Sequence, residues 1–417
     1  MPEGAAPHLP GRRGPGTAEF VALIALAVSM VAMSIDSMLP ALGSIASSLG
    51  AREANDRQLI LTTFFAGLTV GQLFYGPLAD AIGRRRSMFF GLGVLMVGGV
   101  ICATATSFAT MLTGRMVAGF GAAGPRIIST AIVRDRYAGR EMARIMSIVM
   151  ALFILVPIVA PSLGQATLIV ASWRAIFVGL LVMALVVTTW FALRQPETLS
   201  PADRRPLSFR PIVAAITESL GNRITLGYAL SAGFIFGAMI AFLGTAQQTF
   251  GEQYGLGAKF PLYFAGLASA LGVSSLVNAT LVRKYGMRSI SGIALRVATA
   301  ASAAFFAIAL VTHGHPPLAA FMGYLLLVFF CNGLMFGNFN ALAMEPMGHI
   351  AGSAAAVVGS LASFISVLIG TPIGRAYDGT VTPLVGGLAL LTLAALGTTL
   401  WAERGRGVES EAVVSVD

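Results

Sequence analysis

The chain has 417 residues, of which 56% are hydrophobic and only 11% are charged, with a net charge of +9. Soluble domains carry about 25% charged residues, so a chain this apolar is not a soluble globular protein. The basic residues lie in short runs between apolar stretches, which indicates membrane topology rather than nucleic-acid binding. Two cysteines and four histidines show no metal-ligand spacing, so we expect neither a metal nor a cofactor.

Twelve apolar runs of roughly 20 residues predict transmembrane helices, because a helix satisfies its own backbone hydrogen bonds in lipid. A β-barrel is excluded because its alternating pattern is absent. In chain order, the predicted spans are residues 19–42, 58–79, 87–107, 110–133, 142–165, 173–193, 224–249, 260–282, 289–312, 317–343, 353–375 and 381–401.

One long polar interval, rich in proline and arginine, separates six predicted spans from six more. Such 6+6 architecture, with inverted three-helix repeats in each half, is typical of alternating-access transporters. We therefore predict an all-α membrane protein of two six-helix bundles. Its parts are a cytoplasmic tail at 1–18, a first bundle at 19–193, a cytoplasmic linker at 194–223, a second bundle at 224–402 and a cytoplasmic tail at 403–417.

Lysine and arginine are strongly biased to alternate inter-span segments. When the basic residues in the first or last three positions of a span are counted with the adjoining segment, one set of segments holds nineteen of the 27 basic residues, the other set holds five, and three lie deeper within spans. Cytoplasmic loops carry the excess of positive charge. Both termini and the linker are therefore predicted to lie in the cytoplasm.

The first span contains Asp36 near its centre. An intramembrane charge costs at least about 2.5–3.5 kcal/mol, so a carboxyl group there is a functional candidate. At helical spacing, Asp36 shares a face with Met33 and Pro40, and we expect this face to line the transport cavity. Two interpretations stay open: Asp36 carries a proton, or it is a structural acid neutralised by an arginine.

The second span is followed by the string GPLADAIGRRR, residues 76–86. Gly76 and Gly83 allow close helix approach and a tight turn. Asp80 can pair with Arg84 or sit at the N-terminus of a helix from the other bundle. We predict that these four residues form a conformational latch, because a plain positively charged turn does not require the Gly/Asp/Gly spacing.

The fourth span carries Arg115 and Arg126, which lie eleven residues, about three turns or roughly 16 Å, apart on one face. Arg126 follows Pro125. It either extends to the membrane interface or adds a positive charge to the cavity that would suit an anionic substrate.

Aromatic and amide side chains of the second half are candidate substrate contacts. A wall of aromatic residues with few polar points suits varied lipophilic ligands. These candidates, which join Met33 and Arg126, are Tyr228, Phe236, Phe242, Asn332 and Asn338.

Residues 76–86 resemble the loop between helices 2 and 3 of the major facilitator superfamily. Other strings, including GQLFYGPL at 71–78, APSLG at 160–164, WRAIF at 173–177 and PETL at 196–199, are similar to its Bcr/CflA drug-resistance branch. That branch comprises drug/proton antiporters of bacterial inner membranes, including bicyclomycin and chloramphenicol exporters. The resemblance implies the major facilitator fold, export in exchange for protons and function as a monomer.

The resemblance also assigns roles to particular residues. Arg115 begins the string RMVAGFG, which resembles the fourth-helix motif of the superfamily, although Ala118 stands where relatives usually carry glutamine. The implied role is a response to proton release by a nearby acid, for which we nominate Asp36. In the fifth span, residues Pro157, Pro161 and Gly164 resemble the antiporter motif, which implies a kinked, closely packed helix that limits leak.

The sequence thus predicts a proton-coupled exporter of small organic molecules, drugs in particular, in a bacterial inner membrane. Its expected partners are a small-molecule substrate, protons and lipid. A symporter that imports a metabolite and an exporter of an organic anion stay open as alternatives. An intramembrane enzyme is disfavoured because the sequence has no His-Glu-x-x-His motif, no Gly-x-Ser-x-Gly elbow and no paired carboxylates within a span.

Overall fold

A computed structural model describes residues 15–208 and 210–404. The predicted tails at 1–18 and 403–417 lie largely outside these ranges. Within residues 15–208 and 210–404, the regular elements are all helical. The first half contains α1 (Thr17–Asp36), α2 (Leu42–Ser48), α3 (Leu59–Ile82), α4 (Arg84–Ala103), α5 (Phe108–Arg136), α6 (Gly139–Val170) and α7 (Arg174–Arg194). The linker contains α8 (Arg210–Gly221), and the second half contains α9 (Arg223–Gln247), α10 (Phe260–Tyr285), α11 (Met287–Val311), α12 (Leu318–Met344), α13 (Ala351–Arg375) and α14 (Thr382–Glu403).

Eleven helical segments of the described chain are long and apolar enough to cross a membrane. One of them, Leu318–Arg375, has 58 residues. At 1.5 Å per residue it would be about 87 Å long, far more than the roughly 30 Å of a bilayer core. A 3₁₀ turn at Glu345–Ile350, with non-helical backbone at Met347, divides it into α12 and α13. The segment therefore supplies two spans, and the prediction of twelve is confirmed.

The first span is interrupted, which its hydropathy did not predict. Helix α1 ends at Asp36, and a 3₁₀ turn at Leu39–Ala41 leads into the short helix α2. Pro40 lies inside the turn, where it has no backbone N–H to donate. The break therefore places Asp36 at a helix end rather than in the middle of a regular helix.

Glycines bring the helices of the first bundle into backbone contact. A Cβ atom added at Gly119 of α5 would collide with the Phe64 carbonyl of α3, and one at Gly121 would collide with the Leu95 amide of α4. Small residues at such positions let membrane helices pack closely where no hydrophobic driving force acts between them. The glycines that follow Arg115 therefore lie where α5 contacts α3 and α4.

The two bundles meet mainly along α3 and α13, and along α6 and α10. Thr62 and Thr371 are hydrogen-bonded at 3.0 Å, and the Gln72 amide donates to the Ser363 hydroxyl at 3.2 Å. Helix α3 ends beside the linker, whereas α13 ends at the opposite face of the molecule. We call these two ends the linker side and the distal side.

Helix α8 lies across the linker side. Its apolar face packs Ile212 and Ala215 against Val357 of α13 and Leu73 of α3, so it contacts both bundles. Its apolar residues recur at helical spacing, which is the pattern of an amphipathic helix. The predicted linker at 194–223 therefore includes a structured helix, which the polar composition of this interval did not indicate.

Candidate functional site

The predicted latch forms a compact ion network on the linker side. Gly83 turns the chain between α3 and α4 with a φ of 98°, a conformation that favours glycine. The Arg84 guanidinium lies 2.5 Å from Asp80 Oδ1 and 3.0 Å from Asp135 Oδ2. Of the two partners foreseen for Asp80, the structure therefore shows the pairing with Arg84, and Asp135 is a second partner that the sequence did not indicate. The close helix approach expected at Gly76 is not found, because an added Cβ atom there would have no heavy atom within 4 Å.

The linker completes this network. The Glu197 carboxylate accepts hydrogen bonds from the backbone N–H groups of Arg84 at 2.9 Å and Arg85 at 3.1 Å, at the start of α4. The Thr198 hydroxyl donates to Asp135 at 3.0 Å. An anionic cap at a helix N-terminus is stabilising because it satisfies free donors and the helix dipole. The PETL string thus ties the linker to the latch.

The second bundle has a related arrangement. Gly286, with a φ of 77°, directly precedes α11 as Gly83 directly precedes α4. Arg288 forms ion pairs with Glu345 and Glu403, the latter at 3.0 Å. The Tyr228 hydroxyl donates to Glu403 at 2.7 Å. Tyr228, predicted as a substrate contact, therefore belongs to a partly buried ion network on the linker side.

We expect Asp80→Asn to slow transport severalfold while substrate affinity changes less. The variant loses the charge of one Arg84 partner, but Asp135 still holds the guanidinium, so the latch weakens rather than opens. Transport rate and substrate Kd are measured together, with the exposed residue Glu141→Gln as the control. An unchanged rate in Asp80→Asn, and in the double variant with Asp135→Asn, would show that the network does not regulate turnover.

Asp36 is only 5% exposed. Within residues 15–208 and 210–404, no hydrogen bond or ion pair reaches its carboxyl group. The neighbouring Ser37 hydroxyl donates instead to the Met33 carbonyl at 2.6 Å. A buried carboxylate without a counter-ion is costly, whereas the neutral acid is tolerated. The Asp36 carboxyl group can therefore hold a proton while it is shielded from water and release the proton when water or a cation reaches it.

Arg115 is 1% exposed and is held by α3. Its Nε donates to the Ile60 carbonyl at 3.1 Å, and its guanidinium carbon lies 4.3 Å from the centre of the Phe64 ring. It also lines a cavity of about 20 Å³ together with Ser34. Ser34 and Asp36 are two residues apart, which is about 200° around a helix. The structure therefore does not bring Arg115 and Asp36 into an ion pair.

Helix α6 packs tightly against the break after α1. Pro157 and Pro161 lie inside α6, and Pro161 and Gly164 are buried. A Cβ atom at Gly164 would collide with the Ser37 carbonyl oxygen and would lie 3.3 Å from Pro40 Cγ. The close packing expected for this helix is thus directed at the segment that carries Asp36.

Beside this contact lies a cavity of about 180 Å³ lined by α1, α6 and α7, with Met33, Ser37, Gly164 and Gly179 on its wall. Typical ligand pockets measure about 300–1,000 Å³. This volume is too small for a drug-sized molecule, although it can hold several waters. Met33 therefore faces a cavity within the first bundle.

Arg126 is partly buried in α5. In the described part of the chain its guanidinium forms no ion pair and no side-chain hydrogen bond. Its eleven-residue separation from Arg115 leaves the two side chains about 20° apart around the helix. Arg115 likewise forms no ion pair, and its buried Nη2 has no hydrogen-bond partner among the described residues, but its Nε and its guanidinium face are bound by α3, whereas Arg126 has no such contact.

The remaining candidates divide by location. Phe236 packs edge-on against Phe65 of the first bundle, with ring centres 5.6 Å apart. Phe242 is 1% exposed and packs against Phe329 at 4.8 Å, within the second bundle. Phe236 therefore lies at the boundary between bundles, whereas Phe242 is in the packed interior.

The two predicted asparagines also differ. Asn338 donates to Asn278 Oδ1 of α10 at 2.9 Å and to the Leu334 carbonyl at 2.8 Å, so it joins two helices. Asn332 is 6% exposed, and its amide oxygen has no hydrogen-bond partner among the described residues. An unsatisfied buried acceptor is costly, so Asn332 is the better placed of the two for a ligand.

The hydrogen bonds that join α3 to α13 were not predicted from the sequence. Thr62, Thr69 and Gln72 lie on one face of α3, and the Ser360 hydroxyl of α13 donates to the Thr69 carbonyl at 3.1 Å. Polar residues spaced by seven and three positions in an apolar helix indicate a packing face. This spacing in α3 was the signal that could have identified the inter-bundle contact.

Comparison with known proteins gives consistent matches over most of the chain. A family model for the Major Facilitator Superfamily matches residues 22–371. The MFS-type transporter YdgK of Bacillus subtilis (strain 168) is 32% identical over 375 residues, which cover 87% of this chain and 92% of that protein. The bicyclomycin resistance protein homolog of Haemophilus influenzae is 27% identical over 372 residues, which cover 88% of this chain and 91% of that protein. The crystal structure of the human organic anion transporter MFSD10 has the same fold, with a TM-score of 0.66, 18% identity and coverage of 93% of this chain and 100% of that chain.

Proposed function

The chain belongs to the Major Facilitator Superfamily and is a multi-pass membrane transporter, and from this premise we propose that it exports small organic molecules, drugs in particular, in exchange for protons. The similarity to a bicyclomycin resistance protein homolog supports the drug-export branch. The bias of basic residues supports a bacterial inner-membrane protein whose linker side faces the cytoplasm. We further propose that it works as a monomer, with the bundle boundaries predicted from the sequence.

The observation that carries proton coupling is the isolated, buried carboxyl group of Asp36. Antiport requires one group that is protonated from one side of the membrane and deprotonated toward the other. Asp36 lies where α1 breaks and α6 packs closely, so a shift of either helix would change its access to water. Arg115 supports the neighbouring α3–α5 contact and forms no ion pair with Asp36 in the structure.

The contacts between the bundles are those that an alternating-access cycle would break and re-form. Hydrogen bonds between α3 and α13 join the bundles, while the Arg84 network and α8 lie on the linker side. Breaking one set of contacts while forming another is how rigid bundles exchange access without opening a continuous pore.

A compound panel tests the proposed export. A bacterial strain that lacks its own efflux systems is exposed to drugs and metabolites with the gene, without it, and with an Asp36→Asn copy. We expect the intact gene to raise the inhibitory concentration of a subset of drugs and to lower their accumulation. Proton-dependent uptake of a metabolite would support the symporter instead, and no effect on any compound would contradict export.

A second candidate, export of an organic anion, is favoured by Arg126. Its partly buried guanidinium has no acidic partner in residues 15–208 and 210–404. A partly buried cation attracts an anion more strongly than a fully hydrated one does, because less water screens the charge. A substrate carboxylate or phosphate would supply the missing partner.

We expect Arg126→Gln to discriminate between these substrate classes. If Arg126 binds substrate, the variant loses transport of anions on the order of tenfold and keeps transport of neutral compounds. Arg115→Gln is the comparison, because loss of its contacts to α3 should reduce transport of every substrate. Small, equal losses for anions and neutral compounds in Arg126→Gln would exclude an anion site and leave a neutral or cationic drug as the substrate.

A further inference from the structure

One short segment of the first bundle contacts the second bundle on the distal side of the molecule. It is the 3₁₀ helix Ala54–Gln58 with the preceding Glu53, which leads into α3. We propose that Arg57 and Gln58 of this segment are positioning residues for transport, which hold the distal gate closed by binding the second bundle. This inference rests on the proposed transport cycle, because it names the contacts that must break for substrate to leave on the distal side.

Arg57 connects the segment to the end of α9. Its Nη1 lies 2.5 Å from Glu252 Oε1 and donates to Gln247 Oε1 at 2.8 Å, and Nε donates to the Ala54 carbonyl at 2.7 Å. Arg57 is 8% exposed. Its guanidinium is therefore buried by residues of the opposite bundle, and it would become hydrated only when the bundles separate.

Gln58 connects the segment to α13. It is 2% exposed, and its amide nitrogen donates to the Gly374 carbonyl at 2.7 Å and to Gln248 Oε1 at 3.2 Å. A Cβ atom at Gly244 would lie 3.1 Å from Gln58 Oε1, and one at Gly374 would collide with it. The two glycines thus form a socket in the second bundle that fits this side chain.

Neighbours on the segment add further contacts to the same partners. Asn55 donates to the carbonyls of Arg375 at 2.9 Å and Tyr377 at 2.7 Å, and Asp56 pairs with the Arg375 guanidinium at 2.8 Å. Apart from the Ala54 carbonyl, the partners named for Asn55, Asp56, Arg57 and Gln58 all belong to the second bundle.

The chemistry of these contacts suits a reversible gate. They are polar, so water can replace each hydrogen bond when the gate opens, whereas an apolar seal would expose hydrophobic surface. The partly exposed pair of Arg375 and Asp56 is screened by salt more than the buried Gln58 contact. The gate therefore combines a more salt-sensitive rim with a less salt-sensitive centre.

The test measures access from each side in the full-length protein. Reporter cysteines are placed singly at Thr371, behind the distal gate, and at Ala356, on the linker side of α13, because the native Cys102 and Cys331 are buried. In Arg57→Gln and in Gln58→Ala, we expect labelling of the Thr371 reporter by a membrane-impermeant maleimide to rise on the order of tenfold. Labelling of the Ala356 reporter should not rise, because Ala356 packs against α8, which contacts both bundles on the linker side.

Controls separate gating from misfolding and from failure of the proposed function. Arg52→Gln removes a nearby exposed arginine and should change neither reporter. Glu252→Gln, at an exposed position, should reproduce Arg57→Gln even if a buried variant does not fold, and the double variant should add little. A rise at both reporters would indicate misfolding and would overturn the proposal, as would unchanged labelling in Glu252→Gln. A rise at the Thr371 reporter alone, without any proton-driven transport, would retain the gate and reject the antiporter.

Discussion

Asp36→Asn is expected to reduce substrate accumulation driven by a pH gradient by roughly tenfold or more, with expression largely intact. Asparagine has nearly the same shape as aspartic acid but cannot exchange a proton. Because Asp36 forms no hydrogen bond or ion pair among the described residues, the substitution should leave no partner unsatisfied. The effect on coupling should therefore exceed any effect on folding.

Accumulation is measured in liposomes that contain purified protein, with Asp36→Glu as the matched control. Glutamate keeps a titratable carboxyl group at the same position, so it should retain part of the gradient-driven transport. Movement of substrate down its own gradient should persist in Asp36→Asn. Full gradient-driven accumulation by the asparagine variant would remove Asp36 from the coupling mechanism.

Gly164→Ala is expected to have the second largest effect, with loss of most transport. The added Cβ atom would collide with the Ser37 carbonyl, so α6 must move away from the break that follows Asp36. Overpacking of this kind costs about 1–3 kcal/mol of stability. Because the displaced contact adjoins the coupling site, transport should fall by more than the loss of folded protein explains.

Gly179→Ala is the matched control for this prediction. Gly179 lines the same cavity, but an added Cβ atom there meets no heavy atom within 4 Å. Thermal stability and transport per folded molecule are measured for both variants. Equal behaviour of the two would show that close packing at Gly164 is not required.

Most of the membrane architecture could be predicted because hydropathy is a local property of the sequence. The twelve spans follow from runs of apolar residues, and the polar interval at 194–223 follows from its prolines and arginines. Helix α8 was also predictable in principle, because Ile212, Ala215 and Ile216 recur at helical spacing. The prolines and arginines around these residues mark the interval as polar, and its composition therefore conceals the periodicity.

Pairings between distant segments could not be predicted in the same way. Arg288 forms ion pairs with Glu345 and Glu403 at the ends of other helices, and Asn338 donates a hydrogen bond to Asn278. Both contacts depend on how the second bundle folds. A sequence shows which face of a helix a residue occupies, but it does not show which neighbour that face meets.

The expected pairing of Asp36 with Arg115 illustrates the same limit. Both residues were singled out because each is a charge within an apolar span, and both are buried in the structure. Their relation depends on the rotation of α1 against α5, which places Ser34 rather than Asp36 on the Arg115 cavity. The candidate residues were therefore identified individually, while the hypothesis that they form a pair is not supported by this geometry.

The most direct test of proton-coupled export is accumulation of a drug by liposomes that contain the purified transporter, under pH gradients of opposite sign. Protons that leave an acidic lumen should drive substrate inward through an antiporter. We predict accumulation above the external concentration when the lumen is acidic, together with a substrate-dependent rise in luminal pH. Accumulation only when the outside is acidic would instead show symport, and equilibration without accumulation under either gradient would contradict proton coupling.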